Sequence, residues 1–165
     1  MNRDSLVKHA AYTYWANHEL VRCVETLTPE QFDHDFKYSM GTLRVQLAHI
    51  AGVEYWWFTY LSTGELDFFT DEDFASLDTI KAKWAKAEKI VSTYVASLTD
   101  EELQREVKPP FWKPESKPFK VWEAILQVFN HSTDHRAQSL YMLHQLGAPT
   151  FQQDYLFWGH PELVE

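Results

Sequence analysis

The chain has 165 residues, 45% of them apolar, with seven Trp, eight Tyr and eleven Phe. That is enough for one core and excludes disorder as the default state. Acids outnumber Lys and Arg 24 to 15, giving a formal net charge of −9. No nucleic acid or membrane partner is expected, because both are held by cations neutralising phosphates and are poor partners for this balance unless charge is very unevenly placed.

The opening stretch MNRDSLVKHAAYTYWANHELV has no apolar h-region, so no signal peptide is expected. No run approaches the ~18 apolar residues that span a membrane. The lone Cys23 can form neither an internal disulfide nor a cysteine zinc site, so a reducing cytoplasm is the expected location. Any metal must then be held mainly by His and carboxylates. One domain is expected over residues 1–165.

Only five Gly occur, and long stretches without breakers favour helices. Residues 4–27 predict the first, with Val7, Ala10, Ala11, Tyr14, His18 and Val21 on one side. It ends at Leu-Thr, where Thr28 and Gln31 have capping-box spacing. A second long helix is predicted from Thr42 to about Leu61, with Val45, His49, Val53, Trp56 and Tyr60 on one side. Next comes the clearest stripe, Leu77, Ile80, Trp84, Ala87, Val91, Tyr94 and Leu98, at alternating steps of three and four. The segment KAKWAKAEK charges the outer face of that helix.

Thr99 and Glu102 repeat the capping-box spacing, and VASLTDEELQREV echoes the earlier VETLTPEQFDHDF. The chain therefore reads as two related helical hairpins. KPPFWKPESKPF (108–119) is too Pro-rich for a helix and predicts an ordered loop or short extended excursion. Residues 119–146 predict the last long helix. Val121, Ile125, Val128, Ser132, His135, Ser139, Leu143 and Leu146 share a face, with His131 at its edge. Gly147 suits the C′ position and Pro149 lies beyond it. The aromatic tail is expected to pack back on the bundle. Four amphipathic helices without a strand pattern predict an all-α, up-and-down four-helix bundle.

His131 and His135, four apart, place their Cβ atoms roughly 6 Å apart on one helix face, from where both imidazoles can reach one cation. Eight His readily give such a spacing by chance, and hydrogen-bonded core histidines would also account for it. Ser132 and Ser139 on the same face leave room for a cavity, and His49 offers a third inward imidazole from the corresponding helix of the other hairpin. Buried rings without partners cost roughly 1–3 kcal/mol each, so three in one bundle call for a shared purpose. His18 reads as an edge residue and His144 as exposed. His9, His34 and His160 have no supporting pattern. Glu54 and Asp134 point off the His faces and are expected at the surface. There is no Walker loop, dinucleotide fingerprint or nucleophile elbow, and nothing places a base beside Cys23.

With these residues in view, the chain resembles the DinB/YfiT-like family of small metal-binding helical bundles. The resemblance covers essentially the whole sequence. It is carried by YTYWANHEL, by MGTLRVQLAHIAGVEYWWFTYLSTG and most specifically by ILQVFNHSTDHRAQSLYMLHQLGAP. It implies an up-and-down four-helix bundle, often a homodimer, holding a divalent metal on three His that fall here on His49, His131 and His135. Characterised branches include thiol transferases using bacillithiol or mycothiol and a mycothiol-dependent isomerase.

Three neutral ligands leave a metal's full charge and its remaining positions available, so a bound thiol or water would be acidified. The leading expectation is a metal-dependent enzyme, on zinc or nickel, that activates a low-molecular-weight thiol for transfer to a small electrophilic substrate. Metal-assisted hydrolysis with hydroxide as nucleophile stays open. So does a non-catalytic bundle that stores metal or binds a partner. The sequence identifies no further catalytic group.

Overall fold

The structure is a computed structural model that describes residues 2–163; residue 1 and residues 164–165, the ends of the expected 1–165 domain, lie outside the described residues. Four long helices form the body. They are α1 (Arg3–Val24), α3 (Leu43–Thr63), α4 (Leu77–Ser97) and α6 (Val121–Gln145). Three of them start at a side-chain cap. Asn2, Thr42 and Ser76 accept side-chain hydrogen bonds from the first turns of α1, α3 and α4. Two short helices, α2 (Pro29–Phe32) and α5 (Asp100–Gln104), follow the first helix of each hairpin. Thr28 and Gln31 form a complete capping box, and Thr99 accepts from the Glu102 amide. Gly64 and Gly147 stop α3 and α6 with φ of 78° and 68°, where a side chain would be strained.

The expected all-α four-helix bundle is what the chain forms. Each of α1 and α6 packs on α4 or α3 and on the other, so the order around the bundle is α1, α4, α3, α6. Its chain directions depart from strict up-and-down alternation in one respect. Two clusters fill the core. One gathers Leu6 of α1 with the C-terminal halves of α3 and α4 and the N-terminal half of α6. The other gathers Leu20 and Val24 with the opposite halves. Hence α1 runs parallel to α6, and α3 parallel to α4. The physical cause is residues 64–76, which double back along α3. Phe69 stacks on Tyr55 at 3.9 Å, Phe74 meets Phe69 edge-on at 5.6 Å, and Arg44 donates to the Phe74 carbonyl.

The Pro-rich excursion is pinned at its base by two-residue strands, β1 (Glu106–Val107) and β2 (Phe119–Lys120), antiparallel with Glu106 opposite Lys120. The tail returns to the body as expected. Gln153 meets both Tyr12 and Arg136, and a short helix, α7 (Tyr155–Gly159), lays Tyr155 against His9 and Tyr12. Among the described residues no helix is long and apolar enough to cross a membrane.

The buried faces of α4 and α6 are the predicted ones, whereas those of the first two long helices are not. Ile80, Trp84, Ala87, Val91, Tyr94 and Leu98 are buried as predicted. In α1 the core is instead Leu6, Ala10, Tyr12, Thr13, Ala16, Asn17 and Leu20, while Val7 is 42% exposed. In α3 the core is Leu43, Leu47, Ile50, Glu54, Phe58 and Leu61, and Val45 faces out. Apolar residues surround α3 on nearly all sides, so periodicity cannot choose its buried face.

Glu54, expected at the surface, is 1% exposed at the centre of the bundle. It accepts from Asn17 Nδ2 of α1 at 3.0 Å, Trp84 Nε1 of α4 at 2.9 Å and Ser132 Oγ of α6 at 2.7 Å. Asn17 Oδ1 in turn accepts from Arg136 Nη1 at 2.8 Å, and Arg136 is fully buried. Burial pushes the Glu54 carboxyl up, against the three donated hydrogen bonds. Replacing Asn17 by Ala removes both bridging bonds and strands buried polar atoms on two helices. Urea denaturation followed by circular dichroism should show a loss of about 3 kcal/mol; a loss below about 0.5 kcal/mol, the range of a neutral surface change, would contradict the bridging role.

Candidate metal centre

His49 lies on α3 and His131 and His135 on α6, so the three imidazoles meet across the seam between these antiparallel helices. All three are half-buried, and one ring nitrogen from each lies within 4.8 Å of the others. Ring centroids are 4.4 to 4.9 Å apart. His49 Nε2 and His131 Nε2 are separated by 3.0 Å. Two nitrogens bound to one zinc at about 2.0–2.1 Å would sit roughly 2.9–3.4 Å apart, so this spacing already suits a shared cation.

One ring is oriented by its neighbours. His135 Nδ1 donates to Gln46 Oε1 at 2.7 Å. A carbonyl oxygen only accepts, so the proton stays on Nδ1 and Nε2 keeps a free lone pair toward the other two rings. Gln46 is fully buried, one helical turn before His49. Its amide nitrogen donates to Ser39 Oγ at 3.0 Å and to Gln138 Oε1 at 3.1 Å, and Gln138 Nε2 reaches Asp134 Oδ2. Ser39 is brought there by left-handed backbone, with φ of 51° at Ser39 and 53° at Lys37, an uncommon conformation for residues with side chains. His131 Nδ1 is buried without a partner, so that ring's one polar contact is its Nε2 with His49 Nε2.

The charge state also suits ligation, which requires neutral imidazole. Burial lowers the pKa of all three rings, and neighbouring imidazoles add to the effect at His49 and His131. His131 is pushed down to about 4. Among the described residues no carboxylate or cysteine joins the cluster, which consists of the three His alone. A cation there would keep open positions.

The sequence-derived trio is thus brought together as expected, and other candidates are placed elsewhere. His18 is exposed and lies 2.9 Å from Glu88. His144 is exposed, His160 sits at the surface beside Glu162, and His9 stacks on Phe129. Asp134 is at the surface as expected and touches none of the three rings by hydrogen bond. Trp56 borders an outward groove that His49 also lines, whereas Tyr60 donates to the Lys108 carbonyl. Cys23 is buried and its thiol is pushed up by burial, which suits packing rather than chemistry. Sequence reasoning missed Gln46 and Ser39. The available signal was an amide one turn before His49 in an otherwise apolar run.

A bundle of this topology with three converging imidazoles defines a class of small helical proteins with a candidate metal centre. The DinB family sequence model matches residues 1–162, and the chain belongs to that family. No curated protein matches it.

Two outcomes follow from the ring environment. Folded-state His values lie below the ordinary 6.5, so the unfolded chain takes up protons first as pH falls. Metal-free protein should therefore lose stability from about pH 6.5 down to about 4, the His131 value, and His131→Leu should shallow that slope. Equal melting-temperature slopes in the two proteins would contradict the shift. Gln46→Ala should weaken zinc binding about 10–100-fold, read by chelator competition; unchanged affinity would remove Gln46 from the centre.

Proposed function

We propose that the protein is a metal-dependent enzyme in which His49, His131 and His135 hold a divalent ion, zinc or nickel, and in which a low-molecular-weight thiol is activated for transfer to an electrophile. The observation that supports it is the convergence of three uncharged donors with no protein carboxylate or thiolate among them, the donor set of an open catalytic site rather than a closed structural one. When bound, the ion supplies Lewis acidity that favours the thiolate form of a coordinated thiol at neutral pH.

The chain's own residues do the remaining work. The Gln46 carbonyl fixes the His135 tautomer, and Ser39 and Gln138 fix Gln46. The surrounding burial keeps the three rings unprotonated so that protons do not compete for the site. In such a transfer the thiol proton would pass to water, the sulfur pair would form the new bond to the electrophilic carbon, and the leaving group would depart with the old bonding pair.

Metal analysis of tag-free protein should give about one divalent ion per chain, lost in both His49→Ala and His135→Ala. A chain that takes up no zinc or nickel would overturn the reading. Cobalt-substituted protein should gain a sulfur-to-metal charge-transfer band when a small thiol is added. Turnover of an electrophile's ester without any thiol, and no such band, would move the assignment to metal-assisted hydrolysis.

A further inference from the structure

Gly52 lies three residues after His49 on the outward side of α3. Glycine inside a helix weakens it relative to alanine. Such a residue usually allows close approach of another backbone or an unusual φ. Neither applies here. Gly52 has no positive φ, and a Cβ added to it would meet no atom within 4 Å. It lines a groove of about 350 Å³ on the outer face of α3, and its missing side chain leaves that stretch of the groove clear.

His49 lines the groove. Val45, Val53 and Trp56 of α3 form one side, and Phe68 and Phe74 of the returning 64–76 segment form the other. Trp56 is a firm wall. It stacks on Trp57 at 4.3 Å and takes ring contacts from Phe68 and Phe111 at 5.8 and 5.6 Å. No Lys or Arg lines the groove, and its single carboxylate is Asp71. Together with the net charge of −9, this disfavours an anion and favours an uncharged group. Flat apolar walls suit an aryl ring, which gains from stacked and edge contacts.

We propose that this groove holds an uncharged aryl portion of the substrate whose reacting end meets the His49–His131–His135 centre, and that Gly52 sets the size of that portion. The proposal rests on the metal-centre reading for the role of the bound molecule, but the binding itself does not require the ion. A substrate reaching from the three imidazoles along α3 passes over Gly52 before it meets Trp56. Any side chain at position 52 projects into that path and displaces nothing in the core. Gly52 is therefore a specificity-determining residue, kept at a cost to helix stability.

The test uses the uncharged fluorescent probe N-phenyl-1-naphthylamine, titrated into the full chain with and without zinc. Four proteins are compared: wild type, Gly52→Ala, Gly52→Met and Gly52→Phe. Wild type should bind one probe per chain saturably, with or without zinc. Affinity should fall in the order Gly, Ala, Met, Phe, by about tenfold or more at Phe. Gly52→Ala should raise the melting temperature by about 2–4 °C, which shows that the loss of binding is not a loss of fold. Should Gly52→Phe fail to fold, the Ala and Met variants carry the graded series. Equal probe affinity across the folded variants overturns the proposal. So does a change from dimer to monomer in Gly52→Phe with probe binding intact, because a second copy of the chain would then cover this face. Zinc content is measured on the same samples. Wild type without zinc but with graded probe binding would sink the metal reading alone, and zinc bound normally with no graded binding would sink the groove alone.

Discussion

The structure turns on a single buried polar tie. Glu54, Asn17, Trp84, Ser132 and Arg136 come from all four long helices and hydrogen-bond to one another in the middle of a mostly apolar core. Burying a carboxylate and a guanidinium is costly, and a hydrophobic substitute would often be as stable. What the tie supplies is uniqueness. Its donors and acceptors match at one rotation and one height of each helix, so slippage by a single residue would strand buried polar atoms. Ser132 is the chain neighbour of His131, and its bond to Glu54 crosses the seam between α6 and α3. The same contact that registers these helices therefore sets His49 opposite His131 and His135.

From that register the chemistry of the centre follows. The three rings sit at the margin of the core. They are deep enough for burial to keep them neutral and shallow enough to face a groove on the outer side of α3. Orientation passes outward through Gln46 to Ser39 in a loop with left-handed backbone and to Gln138 on α6. The site is therefore held from both sides of the seam rather than by one helix. Its donor set is uncharged, which leaves a cation's charge undiminished for acidifying a ligand.

How much of this could be read from the sequence depends on what each residue's role requires. Helix α4 was legible because one apolar stripe faces one strongly charged face, and α6 because Ser132, Ser139 and two His interrupt an apolar stripe at helical spacing. The parallel between the two hairpins set His49 beside His131 and His135, and the resemblance to the DinB/YfiT-like family singled out the three as ligands. Helix α3 was misphased because its outer face, which borders the groove, is nearly as apolar as its core face. Glu54 was misplaced for a related reason: a carboxylate is usually exposed, and only donors from three other helices make its burial tolerable. Gln46 and the parallel run of α3 and α4 depend on long-range contacts, the latter on Phe69 and Phe74 lying along α3, and local pattern does not encode either.

The central claim is an open three-imidazole centre, and X-ray absorption at the zinc edge of loaded protein tests it most directly. Three imidazole ligands are expected, with the rest of the shell light and exchangeable. A sulfur at about 2.3 Å should enter when a small thiol is added. A shell with fewer than three imidazoles, or one closed by a further protein ligand and unchanged by thiol, would contradict it.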